Sequence, residues 1–442
     1  MSLHFLIEIS PYVIYFMGIV VFFMCLFKVE WGILFFVPLL PLQTTFDKIQ
    51  QFPLGKDMND ILIIAMIIGW IIKVMNKQKK LFVNSALNIP IIMMFFYTLF
   101  SLYYGFGYLG SSFTFDFNEP RIQTCKNYLL LPIIYLIVLN NIKEKKHIKW
   151  LVYLMIGVIF IMGLQFFRGN RFTDKSVFSE DMRQTGTFSY LGPNEYASFF
   201  SHYIFIALGL LLLVKSKLKK FFLFIISLLS TYTIFFLFSR GSYLATYAVF
   251  TLLGVLKKNI LIIGLALIIF FTWNTLLPPA VVQRITMTTN ECGELETSAE
   301  LRVMVWKQSM ETFQSSPLIG VGFNTFPYLG FVLGDSHNLY IKILLEQGII
   351  GLLIFLIIIF IAFYYGWGLY RKAKDDFLKG LGLGFAMCIL SLLISNFFGD
   401  RWTYLPLGAY FWVFLGLVVR ANIITREELV QVEVKKNNSK TE

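Results

Sequence analysis

Few side chains in this sequence are equipped for chemistry, and they gather in short polar segments between long apolar runs. His337 stands in Gly334-Asp335-Ser336-His337-Asn338-Leu339-Tyr340. An imidazole there can take a proton from a hydroxyl, and the Asp335 carboxylate can orient the ring. Asp335 or Ser336 is expected to cap a helix that starts here, which puts His337 in its first turn. Asn338, Lys342 and Glu346 follow at intervals of four, a polar stripe along that helix. The plainer reading of His337 is a hydrogen-bonding loop residue. Arg240 is the second exceptional residue: Ser239-Arg240-Gly241 separates two apolar runs with almost no loop. A guanidinium at the edge of an apolar layer needs a partner or a route to water. A bound diphosphate would compensate it better than snorkelling does, because the planar fork grips phosphate through two parallel hydrogen bonds.

The elements that hold these residues follow from composition. Hydrophobic residues make up 57% of the 442 residues and charged ones 14%, against about 25% charge in a soluble domain. A water-soluble core could not hide 48 phenylalanines and their apolar neighbours. A soluble enzyme, a disordered chain and a secreted disulfide scaffold are excluded. The fold class expected is all-α, a polytopic transmembrane helical bundle. Apolar runs near 8–27, 30–45, 59–75, 88–108, 126–141, 150–167, 195–214, 221–238, 242–256, 259–276, 349–369, 378–398 and 405–420 give about 12–13 spans. The second is interrupted by Pro38 and Pro41. These are unbroken runs, not alternating ones, so helices are expected rather than a barrel.

Charge sorts the short loops onto two faces. One set includes Lys77–Lys80, Lys143–Lys146, Lys215–Lys220, Lys257-Lys258, Arg371–Lys374 and the tail from Arg420; it holds 24 of the 38 basic residues and 8 of the 26 acidic ones. That set is expected in the cytoplasm, with the C-terminus, and the opposite face outside. Thirteen spans would put the N-terminus outside too. The +12 net charge therefore reads as orientation, and nucleic acid is not expected as a partner. The first apolar run lacks a basic start and a small-residue cleavage site, so no cleavable signal peptide is expected. The tail after Arg420 is expected to fray.

The outer face carries arginine where the inner one carries lysine. Arg121, Arg168, Arg171, Arg183, Arg240, Arg284, Arg302 and Arg401 are 8 of its 14 basic residues. Individually they can be loop arginines paired with acidic neighbours; together they suggest a phosphate-binding surface. Two outer segments are long, 168–194 and 277–336. In the second, Thr297 and Glu300 have capping-box spacing, and Val303, Trp306, Met310 and Phe313 recur at helical intervals. An amphipathic helix is expected from about 298 to 313, carrying Arg302, with Pro317 beyond its end. Gly320-Val321-Gly322 reads as a flexible turn. Cys25 and Cys388 fall inside spans, whereas Cys125 and Cys292 fall on the outer side, where one disulfide is conceivable. No metal-ligand spacing occurs, and neither metal nor cofactor is expected.

Several of these pieces, in this order, resemble the O-antigen ligase and polymerase family. They are Arg183-Gln184-Thr185-Gly186-Thr187-Phe188, Pro193-Asn194, Ser239-Arg240-Gly241, Arg302 with Trp306 and Pro317-Leu318-Ile319-Gly320-Val321-Gly322. Ser336-His337-Asn338 and Glu346-Gln347-Gly348-Ile349-Ile350-Gly351 complete the set. The likeness covers about residues 165–365. It implies a ligase-like core there, including both outer loops, between N-terminal helices (1–164) and C-terminal helices (366–420) with a polar cytoplasmic tail (421–442). It also implies the fold of multi-span glycosyltransferases with lipid-linked donors, in a bacterial inner membrane, with the site on the periplasmic face. The implied reaction is inverting, metal-independent transfer of a saccharide from undecaprenyl diphosphate to an acceptor hydroxyl. The acceptor would be a lipid-core sugar, a second lipid-linked repeat or a glycoprotein, making the protein a ligase or a polymerase, with membrane lipids around it. By motif, Arg183 and Arg240 would hold the diphosphate and His337 would act on the acceptor. Arg302, Asn194, Asp335, Asn338, Arg168 and Glu346 are the expected substrate-binding residues. The alternative is a transporter or flippase of lipid-linked saccharide, which would place charges across the membrane midplane.

Overall fold

The computed structural model describes residues 3–53, 55, 58–77, 81–186, 188–287 and 297–441. Among them are sixteen α-helices, three short 3-10 turns and no strand. The helices are α1 (Leu3–Phe27), α2 (Val29–Leu39), α3 (Gln43–Asp47), α4 (Met58–Lys77), α5 (Asn88–Tyr108), α6 (Pro120–Asn141), α7 (Lys145–Asn170) and α8 (Pro193–Leu213). They continue with α9 (Lys217–Phe236), α10 (Arg240–Lys257), α11 (Ile260–Leu276), α12 (Pro279–Thr286), α13 (Thr297–Phe313), α14 (Leu339–Lys372), α15 (Asp376–Ser395) and α16 (Leu405–Thr441). The chain is an all-α, polytopic integral membrane protein.

Every apolar run is helical; among the described residues nine helices are long and apolar enough to cross a membrane by themselves, and Pro11–Phe27 and Val29–Leu39 are shorter apolar stretches. The α11–α12 pair, bent by 101°, adds a tenth if it counts as one span. The expected run at 30–45 is cut to the 11 residues of α2, about 16 Å, because Pro41 has no N–H with which to continue it. Polar residues at Ser242, Thr246 and Thr251 dilute α10. Helix starts follow local side-chain chemistry: Asn259 accepts from Leu261 and Ile262 N–H at the start of α11, and Asp375 from Phe377 and Leu378 at the start of α15. The tail after Arg420 is no frayed strand of polar chain; α16 carries straight on through it to Thr441.

At the centre, α8, α15 and the first half of α16 are largely buried. A ladder of hydroxyls joins α8 and α15 to α10: Ser198 to Ser242 at 3.2 Å, Ser201 to Ser391 at 3.0 Å, and Thr246 to Ser201 at 2.8 Å. Without a hydrophobic driving force between helices in lipid, small residues and such hydrogen bonds supply the association. Ser242 also donates to Ser239 at 3.1 Å, so the ladder fixes the start of α10, where Arg240 sits.

The lysine-rich loops meet at one end of the bundle. Lys149 reaches Asp375 at 3.0 Å, Lys145 reaches Glu428 at 2.7 Å, Lys215 reaches Asp376 at 3.2 Å, and Lys257 donates to the Tyr370 hydroxyl at 3.2 Å. Cys125 is buried within α6, and Cys292, with which a disulfide is conceivable, lies outside the described residues, as do Thr187, Lys79 and Lys80.

The Gly320-Val321-Gly322 segment is a wedge rather than a loose turn. Gly348 interrupts α14 with φ +64°, a conformation that side chains with a Cβ rarely adopt. The break frees backbone groups that residues 317–322 then satisfy. Val321 and Gly322 N–H donate to the Leu345 and Glu346 carbonyls at 2.8 Å, and Ile349 N–H donates to the Pro317 carbonyl at 2.9 Å. On its other side Gly322, at φ +117°, lies against Gly105 of α5, where an added Cβ would come 2.1 Å from the Gly105 Cα. Two motif segments far apart in sequence thus complete each other's hydrogen bonding.

Candidate active site

The polar end opposite the lysines is organised around the first turn of α8. Pro193 at the first helical position presets the helix start, and Asn194 and Glu195 follow it. Arg183, from the long loop before α8, donates Nη2 to Asn194 Oδ1 at 2.7 Å and Nη1 to Glu180 Oε2 at 3.0 Å. The other Glu180 oxygen lies 3.2 Å from Arg284 Nη1, an ion pair without hydrogen-bond alignment. Arg284 is buried, stacks on Phe178 at 4.9 Å and donates Nε to the Phe238 carbonyl at 3.3 Å. One exposed carboxylate therefore spans two guanidiniums.

The next residue on α8 has its own arginine. Glu195 Oε1 accepts from Arg401 Nη1. Arg401 is buried in the turn between α15 and α16, its N–H bound to Asn396 Oδ1 at 2.8 Å. Asp400 beside it pairs with Lys342 at 2.9 Å and accepts from Trp402 and Thr403 N–H at 3.0 Å. Burial alone would push the Asp400 carboxyl up; the Lys342 ammonium and these hydrogen bonds outweigh it and hold the group below the usual range.

His337 joins this cluster. It precedes α14 in a left-handed conformation, φ +50°, instead of lying in the first turn of the helix. The cap is Asn338, whose Oδ1 accepts from Tyr340 N–H at 3.0 Å and Ile341 N–H at 3.3 Å. Neither Asp335 nor Ser336 takes that role, since the Ser336 hydroxyl is turned onto the Asn338 carbonyl at 2.7 Å. Trp306 Nε1 donates to the Ser336 carbonyl at 2.8 Å, so α13 pins the loop. His337 Nδ1 is 3.7 Å from Asp335 Oδ2, beyond hydrogen-bond length. Burial lowers the imidazole pKa; Asp335 opposes this, Arg302 and Arg401 add to it, and Glu195 opposes it. The net shift is downward, which favours the neutral ring, the form able to accept a proton.

The expected site residues therefore divide. Arg183 and Asn194 are bonded to each other; His337, Asp335 and Arg302 share one electrostatic neighbourhood with Arg401 and Glu195. Arg240 opens α10 and donates Nη1 to the Met287 carbonyl at 3.0 Å. Gly241 beside it packs on Phe398, just before the Arg401 turn. Asn338 is occupied as a helix cap. Glu346 lies buried beneath the loop, where its Oε1 accepts from Phe326 N–H at 3.1 Å. Arg168 is exposed at the end of α7. The amphipathic helix forms as expected, but Val305 and Ser309 are the residues it buries, whereas Val303 and Met310 are exposed. Val305 belongs to a satellite core with Val321, Phe326 and Leu345, which selects that face.

In the sequence Arg284 and Arg401 are two of eight outer arginines with no motif to set them apart, and Asp400 carries no local signal at all. Glu195 had one legible signal, a carboxylate in the first turn after Pro193-Asn194. Among the described residues no three His, Cys, Asp or Glu side chains group as metal ligands.

Residues 222–356 match the family model described as O-Antigen ligase. The match supports assignment to the O-antigen ligase/polymerase family. That family implies ligase or polymerase activity in surface-polysaccharide assembly, on lipid-linked saccharide and a polysaccharide acceptor. No curated protein matches the chain. The matched segment includes Arg240, Arg302, His337 and Glu346, whereas the bonded pairs Arg183–Asn194 and Arg401–Glu195 lie outside it in sequence.

Proposed function

We propose that this protein transfers a saccharide from undecaprenyl diphosphate to an acceptor hydroxyl, with inversion, on the outer face of a bacterial inner membrane. The observation that carries this reading is at the start of α8. Adjacent residues Asn194 and Glu195 are gripped by Arg183 and Arg401, and the charges of Arg401 and Glu195 act on His337. Helix N-terminal amides reinforce the positive field there.

In the proposed step the acceptor hydroxyl gives its proton to His337 Nε2, because Nδ1 is the nitrogen nearer Asp335. The acceptor oxygen bonds to the anomeric carbon as the carbon–oxygen bond to diphosphate breaks. Undecaprenyl diphosphate leaves with the bonding electrons, and Arg183 and Arg240 neutralise it. Fixed cations favour this transition state over the ground state, since charge grows on the leaving group as the bond stretches. Arg302, Asn194, Asn338, Arg168 and Glu346 are assigned to substrate binding, and Asp335 to orienting the ring. The unit responsible is residues 165–365, flanked by helices that hold it in the membrane. The lysine-rich face, with the C-terminal tail, faces the cytoplasm.

The test is purified protein with a defined undecaprenyl-diphosphate oligosaccharide and candidate acceptors, followed by mass analysis. Transfer is expected in the wild type and is lost in His337→Ala and in Arg240→Ala. Transfer surviving both substitutions would overturn the site. A strain lacking the gene separates the subtypes: unattached long chains mark a ligase, single attached repeats a polymerase.

A further inference from the structure

On the lysine-rich face, at the end of the bundle away from His337, a cavity of about 310 Å³ opens between α4, α6 and α16. Three cations line it, each from a different element: Lys73 on α4, Lys143 just after α6, and Arg420 on α16. Lys73 is paired with Glu30 at 2.6 Å. Arg420 donates Nε and Nη2 to the Leu139 carbonyl, and Nη1 takes no part in that grip. Asn141 also lines the cavity; it is fully buried, and among the described residues its Oδ1 has no hydrogen-bond partner. A buried acceptor of this kind is costly unless something donates to it. Val83 closes one side, its N–H held by Asn140 Oδ1 at 2.7 Å.

The surroundings are apolar. Trp70, Val74 and Leu81 line the pocket, and the exposed Phe82 packs edge-on against Trp70 at 5.4 Å. Cations beside an exposed apolar strip suit a ligand with a phosphate at one end and hydrocarbon at the other. Basic pockets between helices on the cytoplasmic side take anionic lipid head groups on the same principle. We propose that the pocket binds the head group of an anionic phospholipid. The phosphate sits among Lys73, Lys143 and Arg420, a head-group hydroxyl donates to Asn141 Oδ1, and the acyl chains leave across Trp70, Leu81 and Phe82. A lipid bound there clamps α4 to α6 and α16. The site is independent of the transfer reaction proposed above.

Native mass spectrometry of the full-length protein tests this, with phosphatidylglycerol, phosphatidylcholine and inorganic phosphate as separate probes. Phosphatidylglycerol is expected to be retained over phosphatidylcholine, and millimolar phosphate should fail to displace it. One cation near the surface contributes about a fivefold factor, so Lys143→Gln should weaken retention by roughly that much. Lys143→Arg should keep it, and Lys374→Gln, an exposed lysine on the same face outside the pocket, should leave it unchanged. Equal weakening by Lys143→Gln and Lys374→Gln would reduce the effect to diffuse surface charge and overturn the site. Equal retention of both lipids, or displacement by free phosphate, would overturn the lipid assignment.

Discussion

Asp335→Asn offers a direct test of the part assigned to His337. The two side chains approach to 3.7 Å, and about a third of each is exposed. Unit charges at that separation interact by about 1 kcal/mol at the dielectric of water and by about 4 kcal/mol at an effective value of 20. With this much exposure the screened end applies, where measured pairs fall at about 0.2–1 kcal/mol. One pH unit corresponds to about 1.4 kcal/mol, so the pair is worth at most about 0.7 unit. Asp335 stabilises the imidazolium, and its removal lowers a His337 pKa already depressed by burial and by Arg302 and Arg401. The neutral base then survives to lower pH. The acid limb of kcat/KM, measured with a lipid-linked oligosaccharide donor, should move down by about half a unit. A limb that moved upward would reverse the inferred polarity. A limb that stayed fixed while the plateau fell would show that His337 is not the ionising base.

Arg240→Lys should lose most activity, roughly a hundredfold in turnover, because a point charge cannot reproduce a two-pronged grip; wild-type rates would mean simple charge balance. Gly322→Ala places a Cβ 2.1 Å from the Gly105 Cα and should lower stability by about 2 kcal/mol or more, read as the melting temperature in detergent. Gly107→Ala on α5 meets nothing within 4 Å among the described residues and should leave that temperature almost unchanged. Lys342→Met strands the buried Asp400 carboxylate and should cost about 3–5 kcal/mol; pairing it with Asp400→Leu should recover much of the loss in the same melting assay.

The sequence by itself determined the helical class, the sorting of charge onto two faces and the list of residues able to do chemistry. Those follow from local rules: apolar run length against bilayer thickness, and lysine against arginine in the loops. The α13 helix was legible for the same reason, but its buried face was not. Val305 is buried only because Val321, Phe326 and Leu345, remote in sequence, meet it. Tertiary structure alone decided that Arg401 belongs with Glu195, 206 residues away, and that Arg183 shares Glu180 with Arg284. It also decided that residues 317–322 fill the break at Gly348, which turned an apparently loose glycine turn into a fixed wedge. Pairing across such distances leaves no periodic trace in the chain, because a buried charge or an orphaned backbone group requires a partner of the right kind without specifying where in the sequence it comes from.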